Sequence, residues 1–233
     1  MEINSDVCNG CGQCILVCPV QAIKMIDNKA YIDEDCCVEC AVCIREAKCP
    51  VNAIMMKRLQ WPRSIRIPFS NVLTTHKLTG IGGRGTEEMK TNDVTNRYNA
   101  GEIGIAIELG RPGVGTKLRN IELFTTKLSV IGVIYEEKSP VTTLIIDGEG
   151  HINEEIKEER VLSAIIEFKI PSEKLPLILN VIRTVENEID TVFTVGLVSR
   201  MQGINPSEFI NHVTNLGFQV RPNAKINIGL GKP

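Results

Sequence analysis

CNGCGQCILVCP, residues 8–19, and CVECAVCIREAKCP, residues 37–50, decide how this chain must be read. The cysteines of the first fall as Cys8-x2-Cys11-x2-Cys14-x3-Cys18-Pro19, and those of the second as Cys37-x2-Cys40-x2-Cys43-x5-Cys49-Pro50. Three cysteines at steps of three wrap a loop until their thiolates converge on one iron–sulfur cluster, while the fourth ligand comes from elsewhere in the fold. Two such runs exchange their fourth cysteines. Cys8, Cys11, Cys14 and Cys49 are therefore expected at one [4Fe–4S] cluster, and Cys37, Cys40, Cys43 and Cys18 at a second. Zinc is the competing reading, but zinc knuckles use paired Cys-x2-Cys hooks, which a triple run ending in Cys-Pro suits poorly.

The segment also reads as an internal duplication. Cys18-Pro19-Val20-Gln21-Ala22-Ile23 is matched by Cys49-Pro50-Val51-Asn52-Ala53-Ile54, and Val7-Cys8 by Cys36-Cys37. Each proline lacks an N–H and has a fixed φ, which turns the chain out of its ligand loop. On these motifs residues 1–59 resemble bacterial-type two-cluster ferredoxins, a resemblance covering about a quarter of the chain. It implies two [4Fe–4S] clusters and single-electron transfer. The x5 spacing before Cys49 departs from the usual x3 and is read as a longer helical turn. Cys36, the ninth cysteine, aligns with Val7 and is expected to be a small buried side chain.

The other composition is ordinary: 233 residues, enough for two domains, with 43% hydrophobic and 23% charged residues and a mean hydropathy of +0.02, as in a folded globular protein. Net charge is −2, and no basic run extends beyond Lys57-Arg58, so nucleic acid is not an expected partner. No apolar run is long enough to span a membrane, and the first residues show no export signal. Nine clustered cysteines without such a signal point to reduced thiols in a cytoplasmic setting, and oxygen-sensitive clusters point to an anaerobic one. Asp33, Glu34 and Asp35 form an acidic edge suited to a basic docking partner.

Residues 60–100 read as an extended linker, marked by Trp61-Pro62 and Ile67-Pro68, followed by a polar glycine-rich loop. A literal G-x-G-x-x-G at Gly80, Gly82 and Gly85 lacks the strand–helix frame of a dinucleotide site. Arg84, Glu87, Glu88, Lys90, Thr91, Asn92, Asp93 and Arg97 combine both charge signs with amides and hydroxyls, a mixture suited to a polar ligand or a partner surface. The stretch 82–97 is similar to a segment of 6-hydroxynicotinate reductase-type proteins.

Residues 101–233 alternate strand-like and helix-like periods. Glu102–Leu109 is expected to be a strand, Thr116 to cap a helix carrying Leu118, Ile121, Leu128 and Ile131, Val141–Ile146 and Val161–Ile170 to be strands, and Ser172–Ile189 a helix. Thr191–Ser199 follows as a strand, then a helix from Pro206 to Leu216 closed by Gly217, and a strand over Phe218–Ile228. The order β-α-β-β-α-β matches a ferredoxin-like α+β sandwich, helices on one face of an antiparallel sheet. The turn Gly110–Lys117, with Arg111, is a candidate anion-binding turn. Glu154–Arg160 reads as a solvated helical face, and His76, His151 and His212 as isolated.

Three functional readings follow. The first is a non-catalytic electron carrier, or electron-input subunit of an oxidoreductase complex, with residues 60–233 for docking or assembly and oligomer formation possible. The second is a ferredoxin-linked reductase acting on a 6-hydroxynicotinate-like substrate at the Gly80–Arg97 loop. The third is a redox- or ligand-sensing regulatory protein.

Overall fold

The computed structural model describes residues 1–82, 85–86, 95–111, 113–200 and 206–220. Its first part is built from two copies of one unit. Strand β1 (Glu2–Ile3) pairs antiparallel with β4 (Ile54–Met55), tying the ends of the cysteine-rich segment together. Between them, β2 (Ile23–Ile26) and β3 (Lys29–Ile32) form a hairpin whose turn residues Asp27 and Asn28 both take positive φ, the backbone of a type I′ turn. Helices α1 (Gln13–Leu16) and α2 (Val42–Glu46) each follow the first two cysteines of a run and carry the third.

The duplication is visible in the backbone itself. Equivalent positions of the two copies share left-handed φ: Gly10 with Glu39, Gly12 with Ala41, and Gln21 with Asn52. A left-handed Glu or Ala costs roughly 1–2 kcal/mol, so its retention at Glu39 and Ala41 marks a path that the ligand loop requires. The two extra residues before Cys49 go into a helix one residue longer than its counterpart and a left-handed Lys48.

After Gln60 the structure corrects the expected extended crossing. Arg63–Ile65 is a 3-10 turn that runs into helix α3 (Arg66–Ser70). Pro68 is accommodated because it lies in the first helical turn, where its missing N–H has no partner to lose. Burial decides the rest, since Phe69 is fully enclosed in the apolar core of the following region.

That region is a four-stranded antiparallel sheet in the order β10-β5-β9-β7, made from β5 (Glu102–Leu109), β7 (Ile134–Tyr135), β9 (Ala164–Pro171) and β10 (Phe193–Ser199). Its register sets Ile105 opposite Phe168 and Ile107 opposite Ile166. Period-two alternation puts Ile103, Ile105, Ile107 and Leu109 on one buried face. Helices α4 (Arg119–Ile131) and α5 (Leu175–Glu186) share that core through Ile121, Phe124 and Leu128, and through Ile178, Leu179 and Ile182. A two-stranded pair, β6 (Thr116–Lys117) with β8 (Arg160–Val161), and helix α6 (Pro206–Asn215) complete the described elements.

Several expected elements are redrawn. Thr116 lies in β6 and accepts a hydrogen bond from Asn120, while the helix starts at Arg119 without a side-chain cap. Val141–Ile146 is no strand: Thr142 and Thr143 donate their hydroxyls to the carbonyls of Glu136 and Pro140, which stabilises a 3-10 turn, and Ile134–Tyr135 supplies the strand instead. Val161–Ile170 is split between β8 and β9, because Val161 pairs with Thr116 whereas Ala164 pairs with Leu109. The helix expected over Ser172–Ile189 opens with a 3-10 turn and ends at Glu186. Phe218–Val220 forms no strand, and residues 221–228 lie outside the described residues.

The two parts bury different matter. Around the cysteines the enclosed apolar cluster consists of Cys8, Cys14, Cys37 and Cys43 together with Ala22, Ala30, Ala41, Ala47 and Ala53, and its larger members are Met1, Ile23 and Ile32. Around the sheet they are Ile, Leu, Val and Phe. Among the described residues no helix is long and apolar enough to cross a membrane.

Candidate metal centres

The eight cysteines of the two runs gather in two places. Cys8, Cys11, Cys14 and Cys49 line one cavity, beside Ile3, Ala30, Ala53 and Ile54. Cys18, Cys37, Cys40 and Cys43 line another, beside Ala22, Ile23, Ile32 and Val38. In each, three thiols come from one copy of the unit and the fourth from the other. The alanines, equivalent in pairs such as Ala22 and Ala53, leave the space that larger side chains would fill.

Backbone N–H groups point at the sulfurs in both places. Ala22 donates to Cys18 Sγ at 3.2 Å, Ala53 to Cys49 Sγ at 3.3 Å, and Ala30 to Cys8 Sγ at 3.4 Å. The first two are the same bond in the two copies. These bonds favour the thiolate; that from Ala30, with a second from Gly10, holds the Cys8 thiol below its ordinary value. Burial works the other way in both sets, raising Cys14 in the first and Cys37 and Cys40 in the second, where it pushes Cys43 up to about 12.

Four thiolates in one apolar space need a positive group among them, and a [4Fe–4S] core supplies one. Among the described residues no group of three His, Cys, Asp or Glu is placed to hold a single ion. The cavities and that result agree once size is considered, because a cubane holds its four thiolates apart by its own width. The donor set and the space fit a cluster in each place.

Side chains beyond the cysteines complete the second set. Arg66 donates to the carbonyls of Cys37 at 2.6 Å and Glu34 at 2.9 Å, and is ion-paired with Glu159. Arg45 donates to the Cys40 carbonyl at 3.1 Å and to Asn71. Glu39 is buried inside the ligand loop and is held by Arg63 at 2.7 Å and by the amino group of Met1. Sequence reasoning missed these groups. Arg45 lies within the quoted run, but nothing in its spacing shows that it reaches a ligand carbonyl, and Arg66 meets Glu159 across 93 positions.

Of the other candidates only Arg97 and Arg111 fall among the described residues. Arg84, Glu87, Glu88, Lys90, Thr91, Asn92 and Asp93 lie outside the described residues. Arg97 is paired with Glu136 at 3.0 Å and Arg111 with Glu108 at 3.0 Å. In the Gly110 turn the N–H groups of Val114 and Gly115 are not offered to an anion, because both donate to the Gly110 carbonyl. Instead it is packed against the first part of the chain: a Cβ on Gly113 would meet the Pro19 carbonyl at 3.1 Å.

Glu154–Arg160 is solvated in part: Glu154, Glu155 and Glu158 are exposed, Glu158 pairing with Lys117 and Arg119, whereas Ile156 is buried, Glu159 pairs with Arg66, and Arg160 donates to the Val114 carbonyl. The acidic edge is largely answered within the chain. Asp33 accepts from the N–H of Cys36 and from Lys24, and Glu34 pairs with Lys57 and Arg63; these bonds hold both carboxyls below their usual range. Cys36 is half-buried rather than enclosed, its thiol raised chiefly by burial. His151 is not isolated, because its Nδ1 lies 2.9 Å from Asp147, and that bond raises it.

Comparisons with known proteins speak to the same segment. The family described as "4Fe-4S binding domain" matches residues 1–24. A ferredoxin of Alicyclobacillus acidocaldarius is 51% identical over 41 residues, 18% of this chain and 50% of its own length. Pyruvate synthase subunit PorD of Methanothermobacter marburgensis is 43% identical over 56 residues, 24% of this chain and 63% of its own. One of the subunits of the H(2):CoB-CoM heterodisulfide,ferredoxin reductase of Methanothermobacter thermautotrophicus is 29% identical over 125 residues, 42% of this chain and 18% of its own. The chain thus spans half of the ferredoxin and less than two thirds of PorD. These matches do not show the similarity of residues 82–97 to 6-hydroxynicotinate reductase-type proteins, and no solved structure matches the chain. What cysteine spacing, cavity lining and relatives agree on is that the N-terminal segment is a ferredoxin-type 4Fe–4S binding domain.

Proposed function

We propose that this chain is an electron-transfer protein, or the electron-input subunit of an oxidoreductase complex, holding two [4Fe–4S] clusters. Residues 1–59 form the cluster domain and residues 101–233 a ferredoxin-like α+β sandwich domain, joined by residues 60–100. The observation that carries this reading is the pair of cavities, each lined by four cysteines, three from one copy of the unit and one from the other. When bound, a [4Fe–4S] cluster supplies one-electron transfer at a potential set by hydrogen bonds to sulfur, burial and nearby charge. The chain's own part is to hold the thiolates, shut out water and place N–H groups and arginines beside them.

The relatives include subunits named for pyruvate synthase and for a heterodisulfide reductase, which supports a place for this chain beside a larger redox enzyme. Residues 60–233 would then dock the chain there. Nine free cysteines suit a reducing, oxygen-poor cytoplasm.

The test is native mass spectrometry of protein purified anaerobically from its own cells. Two clusters together with a second polypeptide are the expected result. Iron for one cluster only, or a bound organic substrate without a partner chain, would overturn the reading.

A further inference from the structure

The duplication puts two copies of one ligand loop in the same molecule, and their surroundings differ. In the first copy Cys11, Asn9 and Gln13 are exposed, and Leu16, on the helix that follows, is 87% exposed. Beyond Gly12 there is open space, where an added Cβ would touch nothing within 4 Å. In the second copy the equivalents of Asn9, Cys11 and Gly12, namely Val38, Cys40 and Ala41, are all buried. Glu39, at the position of Gly10, is 1% exposed. One fold unit therefore occurs once open and once closed.

The closure is made by three guanidinium groups, and among the described residues no arginine is seen to donate to the first loop. Arg66, 5% exposed, holds the carbonyls of Glu34 and Cys37, and Glu159 anchors it from the far side. Arg63 clamps Glu39, and Arg45 bridges the Cys40 carbonyl to Asn71. On the first loop the corresponding contact is a lysine, Lys29, on the Cys8 carbonyl. A planar guanidinium with several donors can pin two carbonyls and a carboxylate at once, which an ammonium does less rigidly. A fixed positive charge in a water-poor setting also favours the more negative, reduced state of an adjacent centre.

We propose that Arg66, supported by Arg45 and Arg63, is a positioning residue that seals the second ligand loop and keeps the centre it holds less accessible than that of the first loop. This rests on the reading that both cysteine sets hold a cluster. Arg63, Arg66 and the Asn71 that receives Arg45 all belong to residues 60–71, so a segment outside the cluster unit helps make two similar halves unequal.

The experiment uses the full chain loaded with clusters, starting from its iron content. Iron short of two clusters would overturn the proposed function before the seal is tested. With full iron, a chelator is expected to remove half of it quickly and half slowly from the native protein. Arg66→Gln is expected to bring the slow half towards the fast rate and to lower one of two midpoint potentials, followed by EPR, leaving the other unmoved. Arg66→Lys, which keeps the charge, is expected to restore the potential more than the slow release. A single release rate in the native protein overturns the proposal. So does an Arg66→Gln chain with both potentials moved alike, or one in which Lys and Gln are indistinguishable by both readouts.

Discussion

The two parts of this molecule are stable for different reasons. The sheet region encloses Phe69, Phe124, Phe168 and a row of isoleucines and leucines, so side chains alone fill its core. The cysteine-rich region encloses mainly cysteines and alanines, side chains too small to bury much apolar surface in a unit of that size. The difference predicts that the sheet region behaves as an ordinary protein core, whereas the cysteine-rich segment depends on what fills its two cysteine-lined spaces.

The sharpest way to break that comparison is to remove the iron. Chelation is expected to unfold the cysteine-rich segment while the sheet keeps its circular dichroism and its slow hydrogen exchange. Trp61, which donates to Glu155, is the sole tryptophan and reports the junction by fluorescence. If both parts melt together after chelation, the cores are not independent. Single-ligand variants refine this: Cys14→Ala and Cys43→Ala should each lose half of the iron, measured per chain. Loss of all iron from either would show that the halves assemble only as a pair.

Phe124→Ala addresses the other side. Phe124 is fully enclosed and meets Phe193 edge-on at 5.3 Å, so its truncation should cost about 4 kcal/mol in denaturant unfolding while the iron content stays unchanged. Smaller, at about 3 kcal/mol, is Glu159→Ala, which strands the buried Arg66 guanidinium between the two parts. That variant should also loosen the second ligand loop, read as faster iron release.

A pH effect of lesser size belongs to the sheet alone. Burial raises the Glu167 carboxyl above its ordinary value of 4.5, against the hydrogen bonds from Thr86. The folded chain then keeps a proton that the unfolded chain releases, so this group's contribution to stability falls as pH rises from 4.5 through the raised value. Glu167→Gln should flatten that slope in pH-dependent melting. At the small end, Leu16→Ala on the exposed first helix should change stability by less than about 0.5 kcal/mol.

Much of this was legible in the residues. The cysteine steps predicted which thiols would share a space, because ligand geometry imposes its spacing locally. The alternation over Glu102–Leu109 predicted a strand with the observed bounds, because a half-buried sheet repeats every two residues. Local signals failed where a distant partner decided the outcome. Ile67-Pro68 reads as extended, but Phe69 finds its place in a core built from residues further along, and the segment coils. Val141–Ile146 has the composition of a strand, yet two threonine hydroxyls captured nearby carbonyls first.

By itself, then, the sequence determined the two cysteine sets, the duplicated unit that carries them and the strand and helix periods of the second core. These depend on neighbours within a few positions or on the geometry of a repeated motif. Only the tertiary structure decided that the two ligand loops are unequal. That outcome rests on Arg66 reaching Glu159 and on Arg63 reaching Glu39, contacts between residues far apart in the chain, and no spacing rule encodes where a buried arginine will find its carboxylate.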